Sequence, residues 1–229
     1  MSTISDRLKR VKERVVLAAE KSSRSPDEIT VIAVSKTRSV EEIEAVIQEG
    51  VTCLGENRVQ EAEDKVSKVS DKVCWHLVGH LQRNKSRDAV SIFEMIHSVD
   101  SLRLATELGK RADQIGRRAN ILIQVNTSGA ESQYGVEVDE AQDLVGAISK
   151  TEGVRIQGLM TIGAFLPEPE QVRPSFVRLR ELRDKIAAAN ISGVYMKELS
   201  MGMTGDFEVA IEEGATLVRI GTAIFGPRL

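Results

Sequence analysis

The sequence predicts an α/β fold, a single-domain (β/α)8 TIM barrel preceded by an extra N-terminal amphipathic helix. Three observations support this prediction. Eight apolar runs alternate with seven helical stretches over 229 residues, which is typical of a parallel sheet. The first run, Val31 to Val34, has no polar face, as in a strand covered on both sides. At this length, a closed barrel fits the alternation better than an open sheet.

The extra helix lies within residues 1–25, and we place the barrel at residues 30–226 of a single domain, 1–229. The helix has an apolar stripe at helical spacing, formed by Ile4, Leu8, Val11, Val15 and Ala18. Ser25-Pro26-Asp27 ends the pattern. The predicted strands are Thr30 to Lys36, Cys53 to Gly55, Trp75 to Gly79, Met95 to Val99, Ile121 to Val125, Ile156 to Ile162, Leu199 to Met201 and Leu217 to Ile220. The predicted helices between them are Val40 to Glu49, Val59 to Val69, Asn84 to Phe93, Ser101 to Ile115, Asp139 to Thr151, Glu170 to Ala189 and Asp206 to Glu213.

A further observation is an internal likeness between Glu42 to Asn57 and Asp206 to Gly221, which align without a gap. In each stretch a helix ends at a glycine, Gly50 or Gly214, and a β-branched residue opens the next strand. The likeness reflects either true repetition or the general form of a helix-glycine-strand unit. Both interpretations place Asn57 and Gly221 at the C-terminal ends of their strands, which form the active face of a barrel.

The charge pattern excludes several classes of protein. The 31 basic and 34 acidic residues are spread along the chain and give a net charge of -3, so no basic block favours nucleic acid or a membrane surface. Charges throughout the N-terminal segment exclude the apolar core of a signal peptide. No run approaches the roughly 18 apolar residues of a membrane span. We therefore expect a cytoplasmic protein.

Lys36 closes the first predicted strand and is the main candidate for chemistry. A lysine here either extends to solvent or lies in a site, because a buried lysine needs a partner. After the last two strands, Ser200-Met201-Gly202-Met203 and Gly221-Thr222-Ala223 either cradle a phosphate or simply turn the chain. Strand parity and barrel closure bring Arg219 close to Lys36. A neighbouring cation favours the neutral amine, so this lysine would suit a phosphorylated aldehyde.

The sequence gives no reason to expect a metal site. Cys53 and Cys74 lie in separate apolar segments, which favours small buried side chains over ligands or a disulfide. His76 and His97 lie inside strands and are expected in the core, whereas His80 suits either role. The predicted strand ends contain no His/Asp/Glu cluster with metal geometry.

The chain resembles the pyridoxal 5′-phosphate (PLP) homeostasis proteins, the YggS/PROSC group, which are barrel-only relatives of the alanine racemase N-terminal domain. The matching stretches cover nearly the whole chain and read VIAVSKTRSVEEI, LGENRVQEAEDK, WHLVGHLQRNK, IHSVDS, GLMTIGAF and LSMGMTGDFEVAIEEGATLVRIGTAIFG. The resemblance implies a TIM barrel that holds PLP as an internal aldimine. It also implies that the protein buffers and delivers this cofactor and has no established catalytic turnover.

The resemblance implies a cofactor site made of Lys36, Asn57, Ser200, Arg219, Gly221 and Thr222. Lys36 would carry the aldimine, Asn57 would lie close to the cofactor, and the phosphate would lie against Ser200, Gly221 and Thr222. Arg219 would face the pyridine nitrogen. Because a guanidinium cannot accept a proton, the ring nitrogen would stay unprotonated and the cofactor would be a weaker electron sink.

The expected ligands are PLP and amino acids, the expected protein partners are transient PLP-accepting apo-enzymes, and we expect a monomer. One alternative is a low-turnover PLP-dependent racemase or lyase, and another is a cofactor-free Schiff-base aldolase. Racemisation needs acid-base groups on both faces of the substrate carbon, and the sequence offers one lysine without an obvious second group. We also expect no room after Gly226 for the further domain that racemases carry.

Two rim positions depart from the pattern of the family. Arg58 stands where the family often has an aromatic residue after GEN, and Gln133 stands where it often has lysine. Neither residue is among the implied cofactor contacts. The departures therefore bear only on ligands or partners at the rim.

Overall fold

The computed structural model describes residues 2–69 and 73–227, and its centre is a closed parallel barrel. The strands are β1 (Thr30–Val34), β2 (Cys53–Glu56), β3 (Cys74–Leu77), β4 (Met95–Val99), β5 (Ala119–Asn126), β6 (Val136–Glu137), β7 (Val154–Met160), β8 (Val194–Ser200) and β9 (Leu217–Ile220). Eight of them form the barrel in chain order, which closes where β9 pairs with β1, and the short β6 adds to β5. The predicted (β/α)8 barrel is thereby confirmed. Met1, 70–72 and 228–229 of the predicted domain lie outside the described residues.

The helices surround the barrel. They are α1 (Ile4–Lys21), α2 (Val40–Gln48), α3 (Val59–Val66), α4 (Ser86–Ile92), α5 (Leu102–Asp113), α6 (Ala141–Ile148), α7 (Pro169–Ala188), α8 (Phe207–Glu212) and α9 (Thr222–Phe225). The seven from α2 to α8 are the predicted ones, whereas α9 was not predicted. Within the described part of the chain, none of these helices has the length and apolar character needed to cross a membrane.

The extra N-terminal helix α1 is as amphipathic as its sequence predicts. Thr3 caps it, since the Thr3 side chain accepts a hydrogen bond from the Asp6 backbone while the Asp6 carboxylate accepts one from the Thr3 backbone. Leu8, Val11 and Val15 are buried in the main hydrophobic core. The helix packs against α2, α8 and α9 and so covers the seam where the barrel closes.

The apolar core has two parts. The larger part lies between the barrel and its helices. A smaller cluster fills the barrel interior and contains Ile32, Cys53, Leu122, Met160 and Leu217. The interior is therefore packed with side chains, as in other barrels of this size.

The two similar halves found in the sequence have the same local structure. Gly50 follows α2 with φ +86°, and Gly214 follows α8 with φ +95°. This left-handed conformation suits glycine at the position just after a helix. The following strands, β2 and β9, flank β1 on its two sides, so the ends of these two strands lie beside the end of β1.

Candidate functional site

A cavity of about 420 Å³ opens at the C-terminal ends of the barrel strands. Five of the six residues that the family resemblance implies line it: Lys36, Asn57, Arg219, Gly221 and Thr222. Its other lining residues are Val34, Val78, Ile162, Phe165, Met203, Thr204 and Gly205. The cavity therefore brings together residues from distant parts of the chain, as barrel sites do.

The register of β1 and β9 explains why Lys36 and Arg219 share this cavity. Ile32 of β1 is the partner of Arg219 of β9, so their side chains point to the same face of the sheet. Val34, two residues after Ile32, also lines the cavity. Side chains alternate along a strand, so the interior face of both strands leads toward the cavity. The strand parity in the sequence predicts this arrangement.

Lys36 lies in a turn just after β1, rather than in the strand as the apolar run predicts. The Arg38 backbone N–H donates to the Ser35 carbonyl at 3.0 Å, which closes the turn. Thr37 adopts φ +64°, an uncommon conformation for a β-branched residue. Its hydroxyl donates to the Lys36 carbonyl at 2.6 Å. The turn is thus fixed by local hydrogen bonds despite its strained backbone.

A buried group of charged side chains holds the backbone of this turn in place. The Lys65 ammonium donates to the Ser35 carbonyl at 2.8 Å, to Glu56 Oε1 at 2.8 Å and to Glu61 Oε1 at 2.7 Å. Glu61 also accepts from the Thr37 backbone N–H, and the Ser35 hydroxyl donates to Glu56 Oε1 at 2.7 Å. These contacts, which we call the Lys65 network, fix the backbone on both sides of Lys36.

The two carboxylates of the Lys65 network differ in their surroundings. Glu56 is fully buried, and burial raises its pKa although hydrogen bonds from Lys65 and Ser35 act to lower it. Its Oε2 atom has no hydrogen-bond partner among the described residues. Burial also acts to raise the pKa of the half-buried Glu61, but the hydrogen bonds from Lys65 and the Thr37 backbone outweigh it and lower the pKa. Lys65 is therefore the cation on which the ionised form of Glu56 depends.

Arg219 is the buried cation of the cavity. Its guanidinium donates to the Ser200 hydroxyl at 2.5 Å and to the Thr161 carbonyl at 2.8 Å. Burial lowers the pKa of Arg219 to about 10, with Asp206 acting in the opposite direction. The side chain therefore stays charged at neutral pH, and the ends of β7 and β8 fix its orientation.

Ser200 is the one implied residue that does not line the cavity. It is fully buried, and its hydroxyl is engaged by Arg219 and by His97 Nδ1, the latter at 2.9 Å. The hydroxyl of the same loop that does line the cavity belongs to Thr204, and it accepts from the Ala223 backbone N–H at 3.3 Å. The sequence analysis missed Thr204, although its place in a glycine-containing loop after a strand was a usable signal.

Two glycines near the cavity have packing roles. A Cβ on Gly79 would lie 2.3 Å from the Asn57 carbonyl oxygen, so the loop that carries Asn57 can occupy its position only beside a glycine. Gly202 has φ +89°, and a Cβ there would lie 2.5 Å from the Ala210 Cβ. Gly202 thus packs on α8, and the loop reaches the cavity one residue later, at Met203.

Between Arg219 and the N-terminal ends of the strands, the barrel interior contains a row of polar side chains. His97 Nε2 lies 3.0 Å from His76 Nδ1, and His76 Nε2 lies 3.6 Å from Cys74 Sγ. Burial, reinforced by His76 and Arg219, holds the pKa of His97 well below its usual value, so this imidazole is neutral. Both histidines are buried, as their positions in strands predict. This row connects the cavity to the opposite end of the barrel.

The rim of the cavity is built from two loops that contact each other. Gln133 Nε2 donates to the Gly163 carbonyl at 2.8 Å and so joins the loop after β5 to the loop after β7. His80 stacks on Tyr134 with ring centroids 4.0 Å apart. Arg58 is exposed, and with His80 it lines a neighbouring depression. Gln133 therefore has a structural role at the rim, whereas Arg58 faces solvent.

Comparisons with known proteins show the family of this chain. The family model for the alanine racemase N-terminal domain matches residues 7–228. The pyridoxal phosphate homeostasis protein of Aquifex aeolicus is 42% identical over 224 residues, covering 97% of each chain. The protein of the same name from Escherichia coli K12 is 39% identical and covers 100% of this chain and 98% of its own.

A solved structure adds a bound ligand in a relative. PipY of Synechococcus elongatus PCC7942, solved with PLP bound, superimposes with a TM-score of 0.84 at 34% identity and covers 98% of this chain and 100% of its own. Both the matched family model and the full-length relatives span the barrel and the cavity described above. The chain therefore belongs to the pyridoxal phosphate homeostasis proteins, within the alanine racemase N-terminal domain family.

Proposed function

We propose that this protein binds PLP in the cavity through Lys36 and acts in PLP homeostasis in the cytoplasm, storing and delivering the cofactor without catalytic turnover. The observation that carries the proposal is the convergence of Lys36, Arg219 and the Gly221-Thr222 turn on one cavity. PLP bound to the relative PipY supports it. The names of the full-length relatives support the role in homeostasis.

The donor set of the cavity fits PLP, a planar aldehyde that carries a phosphate. The Lys36 amine is the nucleophile, and its condensation with the aldehyde carbon forms one C=N bond and releases one water. Thr204 and Thr222 supply hydroxyls, and Gly221 exposes backbone between them, which suits a phosphate. The Asn57 amide lies at the wall, where it can hydrogen-bond a polar substituent of the ring.

Arg219 limits the chemistry that the bound cofactor can support. PLP supplies an electron sink when its ring nitrogen is protonated. We place Arg219 opposite that nitrogen, where a guanidinium donates and cannot accept a proton. Ser200 then acts through Arg219, because its hydroxyl orients the guanidinium. This arrangement favours holding the cofactor over carbanion chemistry on an amino acid.

The first test is a spectrum of the purified protein with PLP before and after borohydride reduction, followed by peptide mapping. A yellow absorbance and a reduced adduct on Lys36 are expected, and Lys36→Ala should lose both. Lys85→Ala is the matched control, because Lys85 lies near the mouth but lines a neighbouring depression. An adduct on another lysine, or no absorbance at all, would contradict the proposal. The second outcome would favour the cofactor-free aldolase.

The second test concerns delivery and turnover. Loaded protein should reactivate a PLP-free apo-enzyme faster than the same concentration of free PLP, and the Lys36→Ala protein mixed with PLP should give only the free-PLP rate. A panel of L-amino acids, with and without the loaded protein, should yield no D-isomers, keto acids or amines beyond one equivalent. Multiple turnovers would support the racemase or lyase and refute the storage role.

A further inference from the structure

Three potential metal ligands meet at the end of the barrel opposite the cavity. Cys53 opens β2, Cys74 opens β3, and His76 lies two residues after Cys74. Cys53 and Cys74 are register partners on adjacent strands, so their side chains leave the sheet on the same face. Both thiol sulfurs and a ring nitrogen of His76 lie within 4.8 Å of one another. We call this group the base cluster.

One ligand pair of the base cluster has the spacing found in a zinc site. Cys74 Sγ and His76 Nε2 are 3.6 Å apart. A tetrahedral Zn²⁺, with Zn–S of about 2.3 Å and Zn–N of about 2.0 Å, sets its sulfur and nitrogen ligands about 3.5 Å apart. Two thiolates and one imidazole are soft and borderline ligands that suit Zn²⁺, whereas Mg²⁺ and Ca²⁺ require oxygen ligands. Three protein ligands leave a fourth position open.

The surroundings of the base cluster meet two further requirements of a metal site. Cys74 is only partly buried, so an ion can reach the cluster from the barrel end. Metal-binding histidines usually hold a hydrogen bond on their second ring nitrogen, which fixes the ring. His76 Nδ1 has such a partner in His97 Nε2, 3.0 Å away, which keeps Nε2 aimed at Cys74.

We propose that Cys53, Cys74 and His76 form a Zn²⁺ site at the base of the barrel, with the fourth coordination position open. Binding releases the thiol protons to solvent and forms two Zn–S bonds and one Zn–N bond. The site lies at the opposite end of the interior from the cofactor cavity. Zinc uptake therefore requires neither Lys36 nor bound PLP.

Zinc binding also sets proton positions along the interior row. We assign the metal-free row from Arg219, which can only donate: it donates to Ser200, the Ser200 O–H donates to His97 Nδ1, and His97 Nε2–H donates to His76 Nδ1. The His76 proton then lies on Nε2. Zinc binds through the lone pair of His76 Nε2, so the His76 proton moves to Nδ1 of the same ring. The His97 proton then moves from Nε2 to Nδ1 as well. Each imidazole keeps one proton, and the direction reverses between the two imidazoles and between His97 and Ser200, so that the Ser200 oxygen accepts from both Arg219 and His97.

The test is metal titration of the full-length protein, stripped with a chelator and kept reduced. We expect one equivalent of Zn²⁺ in competition with a chromophoric chelator, and Co²⁺ should give the absorption of a tetrahedral thiolate site. Cys53→Ser, Cys74→Ser and His76→Gln should each weaken binding more than the roughly 10–100-fold lost when a hydrogen-bond partner of a metal ligand is removed. His80→Gln, on the exposed rim, and Lys36→Ala should leave zinc affinity unchanged.

Two measurements on the unmodified protein keep the test decisive if a cysteine variant fails to fold. Zn²⁺ should slow alkylation of Cys74 at least tenfold. Nitrogen-15 spectra should show the His97 proton moving from Nε2 to Nδ1 on zinc addition. Substoichiometric zinc uptake by the unmodified protein, or equal uptake by a folded Cys53→Ser/Cys74→Ser double variant, would overturn the proposal.

Discussion

Replacing Lys65 with methionine tests how the Lys36 turn is held. Methionine keeps most of the apolar stem but removes the ammonium, and with it three hydrogen bonds. Glu56, fully buried and with Oε2 already lacking a described partner, would then lose its only described cation. Removing one partner of a buried ion pair costs roughly 3–5 kcal/mol. We expect about 3 kcal/mol at neutral pH, because Glu56 can relieve part of the cost by taking up a proton.

The pH dependence of this loss follows from the pKa of Glu56. Burial already raises that pKa above its unfolded value, so the folded protein binds the proton more tightly than the unfolded chain. Stability therefore falls as pH rises above the unfolded pKa of about 4.3. Without the ammonium, the pKa of Glu56 rises further, so the fall in stability continues to higher pH. The Lys65→Met penalty should be small near that pH and largest in neutral and alkaline solution.

Thermal unfolding followed by circular dichroism measures the penalty. For a chain of this size, 3 kcal/mol corresponds to a drop in Tm of roughly 6–12 °C. Lys68→Met, on the exposed surface just beyond the same helix, is the matched control and should change stability by less than about 0.5 kcal/mol. Glu56→Gln should restore most of the loss in the Lys65→Met background and flatten its pH dependence. A pH-independent penalty, or no rescue by Glu56→Gln, would refute the assigned ion pair.

Three further predictions concern the cavity and the assembly. Gly79→Ala should weaken PLP binding at least tenfold in a spectroscopic titration, because the added Cβ displaces Asn57. Gly146→Ala is the control, because a Cβ at Gly146 meets nothing within 4 Å. This control should leave PLP binding intact and stabilise α6 by about 0.5–1 kcal/mol. Arg219→Glu should raise hydrogen exchange at the α-carbon of amino acids bound with PLP, since a carboxyl group allows the ring nitrogen to be protonated; an unchanged rate in NMR would contradict the role of Arg219. Analytical ultracentrifugation should give a monomer near 25.1 kDa, and a concentration-dependent dimer would contradict this expectation.

The barrel could be predicted from the sequence because its signals are local. Each apolar run and each helical stripe is visible within a few residues, and glycines such as Gly50 and Gly214 mark the helix ends. The predicted first strand is two residues too long: the apolar run ends at Val34, as β1 does, and nothing in Ser35 and Lys36 indicates that they form a turn. That turn depends on Lys65 and Glu61, which lie on α3, beyond α2 and β2 in the chain.

Site residues on or next to a strand could be predicted from the alternation of side chains. Site residues in loops could not, because the path of the loop determines which side chain reaches the cavity. Arg219 follows from the alternation of side chains on β9, and Lys36 follows from its place just after the end of β1. Ser200 ends β8 and Thr204 lies in the loop after it. The Ser200 hydroxyl accepts a hydrogen bond from the buried Arg219 guanidinium, so Thr204 is the one that lines the cavity. The base cluster was missed because Cys53 and Cys74 meet only through the β2–β3 register, which the sequence does not specify.

The interior row explains how the barrel tolerates a buried guanidinium. Arg219 is almost fully buried, and burial alone lowers its pKa. A second cation below it would be destabilising, so the imidazole that shares Ser200 with it must be neutral, as the lowered pKa of His97 indicates. A neutral imidazole in turn needs a donor or acceptor on its far side, which His76 provides. The cavity therefore depends on the whole row, and a change at the base of the barrel alters the hydrogen bonds that orient Arg219.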